Sequence, residues 1–332
     1  MNVKALIRRV NHTLKLHKLF PEYSRILIAC SGGPDSMALL HLLQDIAAHR
    51  HTKYKLGIAI VDHSIRPESK AEVLWLQNQV DALGLSFYTT TFDVPTLSKD
   101  LKLSEETVGR QVRYQWLNEI AHSEGYDYIA VAHHKDDQAE SILAHLIRGT
   151  GLNGLTGMAV VSHDYDIPVI RPLLDITKAE LLAYLADRKL TYCIDSTNDD
   201  IRYQRNKIRH RVIPELESIN PNVVDAIARL GGSVSEDLAV ISDLTVQAFK
   251  RLVTIDKGEM RLSRRALRKE PLAIQRRLWQ RLVSSIDSDI TLTTAHQEQL
   301  LDIVNTGEAK TFTIKSIKVI AQCDTIKVYC KH

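Results

Sequence analysis

Cysteine is scarce in this sequence and poorly spaced for either of its structural uses. Four occur in 332 residues, Cys30, Cys193, Cys323 and Cys330, and no two form a C-x-x-C pair or a zinc-binding spacing. Free thiols in a reducing cytoplasm are the expectation. Long apolar runs are missing too: no stretch of about 18 apolar residues occurs, so nothing reads as a membrane-spanning helix. Met1 to Phe20 has the periodicity of a short amphipathic helix, with Lys4, Arg8, Arg9 and Lys15 mixed in, and lacks the apolar core and cleavage site of a secretory signal. Charge of one sign is not in excess either. A formal net charge of +3 says little about partners, and local clusters must be read instead. Absent also are the Walker A run G-x-x-x-x-G-K-[ST] and the zinc motif H-E-x-x-H. What is present is a hydrophobic fraction of 44%, ample for real cores, in a length that suits one large or two ordinary domains.

The first half alternates strand and helix patterns. Arg25 to Ala29 is an apolar run that reads as a buried parallel strand, and Met37 to Leu43 as an amphipathic helix. Lys55 to Val61 is a second strand, ending at Asp62-His63, and a helix from about Glu68 to Leu83 stops at Gly84. Leu85 to Phe92 reads as a third strand. Ser104 is an N-cap for a helix reaching His122, Asp127 to Ala132 is a fourth strand, and a helix from Asp136 to Ile147 closes near Gly149. Strict alternation predicts an α/β fold with a parallel sheet and right-handed crossovers. Ligands of such sheets bind at the carboxyl ends of the strands, where Ser31 to Ser36, His63 and His133 all fall.

The loop between the first strand and helix, Cys30-Ser31-Gly32-Gly33-Pro34-Asp35-Ser36, has the makings of an anion site. A helix start leaves backbone N–H groups unpaired, and the macrodipole adds positive charge there. Gly32 and Gly33 let the backbone approach phosphate oxygens, while Ser31 and Ser36 offer hydroxyls. Asp35 would repel a phosphate unless a cation lay between them, which argues for Mg²⁺ bridging it. An ordinary Ser/Gly turn capping a helix is the plainer alternative. The loop resembles the SGGxDS loop of the PP-loop ATP pyrophosphatases, which cleave ATP between the α and β phosphates.

A second charged stretch is His133-His134-Lys135-Asp136-Asp137-Gln138-Ala139-Glu140. On a helix starting near Asp136, Asp137 and Glu140 share a face. They could hold Mg²⁺ or the ammonium of a cationic substrate, or simply favour the helix dipole. Gly149-Thr150-Gly151-Leu152-Asn153-Gly154 fits the dinucleotide fingerprint but follows a helix instead of a strand, so that reading fails on context.

Several blocks taken together are similar to the tRNA-Ile lysidine synthetases. They are His133-x-x-x-Asp137-Gln138-Ala139-Glu140, Arg148-Gly149-Thr150-Gly151, Gly154 to Met158, Asp62 to Arg66, Arg110 to Tyr114, Arg171-Pro172-Leu173-Leu174, Asp195 to Asn198 and Arg205 to His210. The resemblance implies a PP-loop domain of the adenine nucleotide alpha-hydrolase, Rossmann-like type over residues 1–214. It implies that ATP adenylates the C2 oxygen of the wobble cytidine in a CAU-anticodon isoleucine tRNA, after which L-lysine displaces AMP. Asp35, His133, Asp137 and Glu140 become the implied catalytic residues. Ser31, Gly32, Gly33, Pro34, Asp35, Ser36, His63 and Arg113 become the implied ATP ligands, with Asp35 and Asp137 holding Mg²⁺. The amine must be oriented or deprotonated by a carboxylate or by His133; the sequence does not apportion these roles. Arg113 reads equally well as a surface helix arginine.

Past Pro214 the character is mostly helical, with a long pattern from Pro221 to about Leu252 softly interrupted at Gly231-Gly232. A basic segment follows, with Arg261, Arg264, Arg265, Arg268, Lys269, Arg276, Arg277 and Arg281. Beside a tRNA enzyme its clustering favours phosphate contacts over a merely solvated face. Arg205, Arg209, Arg264, Arg265 and Arg268 are the expected tRNA contacts, and residues 215–332 the expected tRNA-binding domain. Lys310 to Lys331 reads as a β-hairpin turning at Gln322-Cys323-Asp324. This layout resembles the family's first C-terminal domain; the further domain of longer members has no residues here. A homodimer is left open. Two other functions stay in view: a PP-loop enzyme acting elsewhere, by tRNA thiolation or as an amidoligase, and a non-catalytic nucleotide- and tRNA-binding module.

Overall fold

A computed structural model describes residues 3–48, 53–64, 68–194, 204–256, 258–306 and 308–330. Two of the motif blocks, Asp62 to Arg66 in part and Asp195 to Asn198 entirely, lie outside those residues. The chain divides into two compact units, Met1–Gly232 and Ser233–His332.

The first unit opens with α1 (Val3–Leu16), then β1 (Arg25–Ala29), α2 (Pro34–Ala47), β2 (Lys55–Asp62), α3 (Ser69–Ala82) and β3 (Ser86–Thr91). Next come α4 (Val94–Leu101), α5 (Glu105–Ser123), β4 (Tyr128–Ala130), α6 (Lys135–Arg148) and α7 (Leu152–Leu155). It continues through β5 (Val161–Ser162), β6 (Val169–Ile170), α8 (Lys178–Asp187), α9 (Gln204–Lys207), a π-helical turn (Ile208–Val212) and α10 (Ile213–Ile219). The sheet order is β3-β2-β1-β4-β6-β5, parallel except for the short β5 on β6. β1 explains why its sequence is an unbroken apolar run. Ile26 and Ile28 enter one core with residues of α1, α2, α3 and α8, while Leu27 enters the other with Tyr114, Leu117 and Ala121 of α5. A parallel sheet covered on both faces has no solvent side on which to place polar residues.

The alternation read from the sequence is present, with two differences. The fourth strand is shorter than Asp127 to Ala132, because β4 pairs only over Tyr128–Ala130 with β1. α4, unforeseen, starts at an Asp93 cap whose carboxylate accepts from Thr96 N at 3.0 Å. Strand order reverses between β1 and β4, and at such a switch point the loops part to leave a crevice. The loops after β1 and β4 therefore face one another there.

α11 (Val223–Leu252) is a single 30-residue helix, and the boundary between the units falls within it. The expected interruption at Gly231-Gly232 does not occur. A Cβ on Gly231 would lie 2.8 Å from Ile142 Cδ1 and 3.2 Å from Thr156 O, so the glycine serves close helix packing instead of a break.

In the second unit, β7 (Thr254–Asp256), β8 (Glu259–Ser263), α12 (Arg264–Arg268), α13 (Leu272–Ser284) and α14 (Thr294–Thr306) precede β9 (Lys310–Ile314), β10 (Ile317–Gln322) and β11 (Thr325–Cys330). The terminal segment holds three strands where two were expected. The turn at Cys323-Asp324 is as read, and a further one falls at Lys315-Ser316. These strands complete a five-stranded antiparallel sheet, β7-β8-β11-β10-β9, against a core centred on Leu278, Trp279 and Leu282.

Candidate active site

A cavity of about 560 Å³ opens at the switch point, lined by the Ser31 to Ser36 loop, His63, Arg113, His133, Asp137 and Lys178 among others. Gly32 takes φ +78°, the left-handed region in which a side chain would be strained. Gly33 is the N-cap of α2 and has no side chain to cap it, and Pro34 follows at the first helical position. The first-turn N–H groups of α2 thus have no side-chain cap to satisfy them. Ser36 has another task than the one expected. Only 5% exposed, its hydroxyl accepts from Ser31 N at 3.2 Å and donates to Gly33 O at 2.9 Å, which ties the loop into a ring.

His63 and His133 stand at the ends of β2 and β4, and the Nδ1 atom of each is buried without a hydrogen-bond partner among the described residues. Burial pushes His63 down to about 4, helped by the Arg113 cation. It pushes His133 down to about 3 against the pull of Asp137, with Arg171, Arg205 and Arg113 adding repulsion. Both imidazoles are neutral at physiological pH. A neutral ring suits His133 to orienting the amine more than to deprotonating it, the two roles expected of a carboxylate or of His133. Arg113 rests on Tyr114, its guanidinium carbon 5.3 Å from the ring centroid, and burial works against its charge. Neutral histidines beside arginines make this part of the cavity receptive to an anion.

His134, which the sequence did not single out, behaves in the opposite way. Burial pushes it down, but hydrogen bonds to Asp136 and Asp35 and the field of Asp137 carry it up to about 9. Its ring nitrogens lie 3.4 Å from Asp136, 3.7 Å from Asp35 and 3.4 Å from Asp137. As the N-cap of α6 it would also accept from Asp137 N through Nδ1, but that contact is 3.4 Å long. With three carboxylates this close, the doubly protonated ring wins. The sounder half of the cap is His134 N donating to Asp137 Oδ2 at 3.0 Å.

The acidic pair is filled by cations of the chain itself. Arg205 Nε donates to Glu140 Oε2 at 2.8 Å and its Nη2 to Asp137 Oδ1 at 2.7 Å. Arg209 Nε meets Glu140 Oε1 at 2.6 Å, and its Nη2 reaches Asp137 Oδ1 at 3.2 Å. Arg205 and Arg209 were expected on tRNA; they lie instead on the carboxylates expected to hold Mg²⁺ or an amine. One oxygen of Asp137 accepts from these guanidiniums and the other from His134 N at the α6 cap. Gln138 is structural: its amide accepts from Met158 N at 2.6 Å and donates to Met158 O at 3.0 Å, fixing the Gly154 to Met158 loop.

Asp35 is the carboxylate that lies on the glycine loop itself. Among the described residues no three of His, Cys, Asp and Glu form a cluster able to hold a metal ion. Mg²⁺ normally takes one or two carboxylates plus substrate phosphates, so Asp35 fits an ion that arrives with a nucleotide and not a resident centre. A cation already sits on it, since Lys178 Nζ lies 2.6 Å from Oδ1 and 2.7 Å from Oδ2. Sequence reasoning missed Lys178. Its one signal was the capping box Thr177-x-x-Glu180, which marks a helix start just before it.

The basic segment of the second unit separates into two kinds of arginine. Arg264 is 3% exposed and its Nη2 donates to Glu308 O at 2.7 Å, so its expected role on phosphate is withdrawn: the side chain is turned into the fold. Arg268 is exposed, yet its Nε donates to Val304 O at 3.0 Å, capping α14. Arg265 is exposed, as are Arg276 and Arg281.

Residues 4–216 match the PP-loop domain family. The tRNA(Ile)-lysidine synthase of Thermosipho africanus is 38% identical over 247 residues, covering 74% of this chain and 56% of that protein. That of Porphyromonas gingivalis strain W83 is 37% identical over 68% of this chain and 48% of its own length. That of a Nostoc species is 33% identical, covering 84% and 83%. The chain thus spans about half the length of the first two relatives and most of the third. Among solved structures, a U34-tRNA thiolase from Methanococcus maripaludis superposes with a TM-score of 0.61 at 20% identity, covering 70% of this chain and 78% of that one, a likeness of fold. From the matched domain and these identities, the chain belongs to the PP-loop family and, within it, to the tRNA(Ile)-lysidine synthases.

Proposed function

We propose that the chain uses ATP to adenylate the C2 oxygen of the wobble cytidine in a CAU-anticodon isoleucine tRNA, then joins L-lysine at C2. The cytidine oxygen attacks the α-phosphorus and pyrophosphate leaves; the lysine ε-nitrogen then forms a bond to C2 as the C2–oxygen bond to AMP breaks. Activation has to come first, because the unphosphorylated oxygen is a poor leaving group. The observation that carries this reading is the meeting, in one cavity, of an uncapped glycine loop with Asp137, a buried carboxylate that holds cations.

The Ser31 to Ser36 loop is assigned to the ATP phosphates, with Arg113 and the neutral His63 and His133 around the α-phosphate. Asp35 would hold Mg²⁺, which would offset charge growing on the leaving pyrophosphate. Asp137 and Glu140 are assigned to the amine. Their present partners are guanidiniums, and an alkylammonium asks for the same charge-assisted bonds. Residues 1–214 are taken as catalytic and 215–332 as tRNA-binding.

The test is pyrophosphate release with ATP and CAU-anticodon tRNA, with and without lysine. Release should require that tRNA, and labelled lysine should become bound to it. Release with any tRNA, or from ATP alone, would overturn the assignment and leave a different PP-loop reaction; no release at all would leave a binding module.

A further inference from the structure

Lys178 sits at the first position of α8, and its backbone is anchored twice. Thr177 Oγ1 accepts from Glu180 N at 3.2 Å while Glu180 Oε2 accepts from Thr177 N at 2.9 Å, and Lys178 N itself donates to Asp136 Oδ2 at 2.9 Å. The side chain, by contrast, is 34% exposed and lines the cavity. Its ammonium grips both oxygens of Asp35 from a flexible four-carbon stem. A fixed backbone with a swinging cation at its end suits an exchange of partners. Asp35 needs a further counter-charge once phosphate enters beside it; without nucleotide the α2 start, Lys178 and His134, 3.7 Å away, all favour its negative charge. With both side chains about one-third exposed, water screens the pair and eases its exchange.

We propose that Lys178 is a polyphosphate-binding residue held in reserve on Asp35. Without nucleotide it shares that carboxylate with His134. When ATP enters with its divalent cation, the cation takes over Asp35 and the ammonium passes to the phosphate oxygens being prepared to leave. Positive charge at the loop thereby rises when the nucleotide arrives, and without nucleotide the site is kept from binding metal alone. This assignment rests on the ATP reading above.

The two halves of the exchange predict binding changes of opposite sign in one variant. Lys178→Gln should weaken ATP binding in saturating Mg²⁺ at least tenfold, measured by calorimetry. The same variant without nucleotide should bind Mn²⁺, followed by electron paramagnetic resonance, several-fold more tightly than the natural chain. A merely structural ion pair would leave ATP affinity unchanged or lower both affinities together, and either result overturns the proposal. Lys178→Arg keeps the charge and guards against a folding defect: it should bind ATP within about tenfold of the natural chain, one such factor being 1.4 kcal/mol. Loss of ATP binding in a folded Lys178→Arg chain counts against the exchange. If the natural chain itself binds no ATP, the proposed function falls, and this assignment with it.

Discussion

Glu140 is 1% exposed, and a carboxylate that deeply buried is costly unless paired and hydrogen-bonded. Arg205 and Arg209 supply the pairing from the same side of α6, each about one-third exposed and so partly screened. Breaking a fully buried pair costs about 3–5 kcal/mol. Here the exposed guanidiniums keep some water, and the scale of a charge-assisted bond, about 1.5–3 kcal/mol, applies instead. Glu140→Gln is therefore expected to lower unfolding stability by about 1–3 kcal/mol in urea titrations. Arg209→Met should cost less, and the double variant less than the sum by about 1 kcal/mol, because the two changes remove one shared interaction. Strict additivity would show that the pairing contributes nothing. The carboxylates themselves could be read from Asp137-Gln138-Ala139-Glu140. Their partners could not, since Arg205 and Arg209 lie 65 and 69 residues further along the chain.

At the scale of elements, helix starts position the site. α2 is left uncapped and so open to an anion, α6 is closed by Asp137, and α8 is closed by a capping box that delivers Lys178. Removing a Ser or Thr N-cap usually costs about 0.5–2 kcal/mol. Thr177→Ala should accordingly lower stability by about 1 kcal/mol and weaken ATP binding through Lys178, while Thr177→Ser restores both. Calorimetry alongside thermal unfolding checks this; a loss of stability with ATP affinity intact would separate the cap from the site. α11 carries a different lesson. Gly231-Gly232 looked like a break because glycine lowers helix propensity by about 1 kcal/mol. Close packing on Ile142 and the Thr156 carbonyl overrides that local preference, and nothing in the helix's own sequence reveals it.

At the scale of the molecule, two units each have their own core. No helix among the described residues is long and apolar enough to cross a membrane. The basic segment of the second unit is not one uniform surface, and charge counted along the chain cannot tell its two kinds of arginine apart. Arg265→Glu with Arg276→Glu should weaken tRNA binding and reduce the slope of log affinity against log salt by about one for each phosphate left without its arginine. Arg264→Ala should instead destabilise the unit and leave that slope unchanged in the folded protein, because its guanidinium serves Glu308 O. Filter binding across a salt series distinguishes them, and an unchanged slope in the first variant would return Arg265 and Arg276 to an ordinary solvated face.

The sequence by itself determined what depends on neighbours along the chain. Apolar runs set the strands, glycines and caps set the turns, and strict alternation set a parallel sheet whose strand ends gather Ser31 to Ser36, His63 and His133. Tertiary structure decided what depends on charges meeting across the fold. It made His133 neutral and His134 a cation although they are adjacent, because one is buried beside arginines and the other lies among three carboxylates. It placed Arg205 and Arg209 on Asp137 and Glu140, turned Arg264 inward, and brought Lys178 to Asp35 from 143 residues away. Burial and Coulomb energy depend on distance in space, and no local pattern in the sequence encodes that distance.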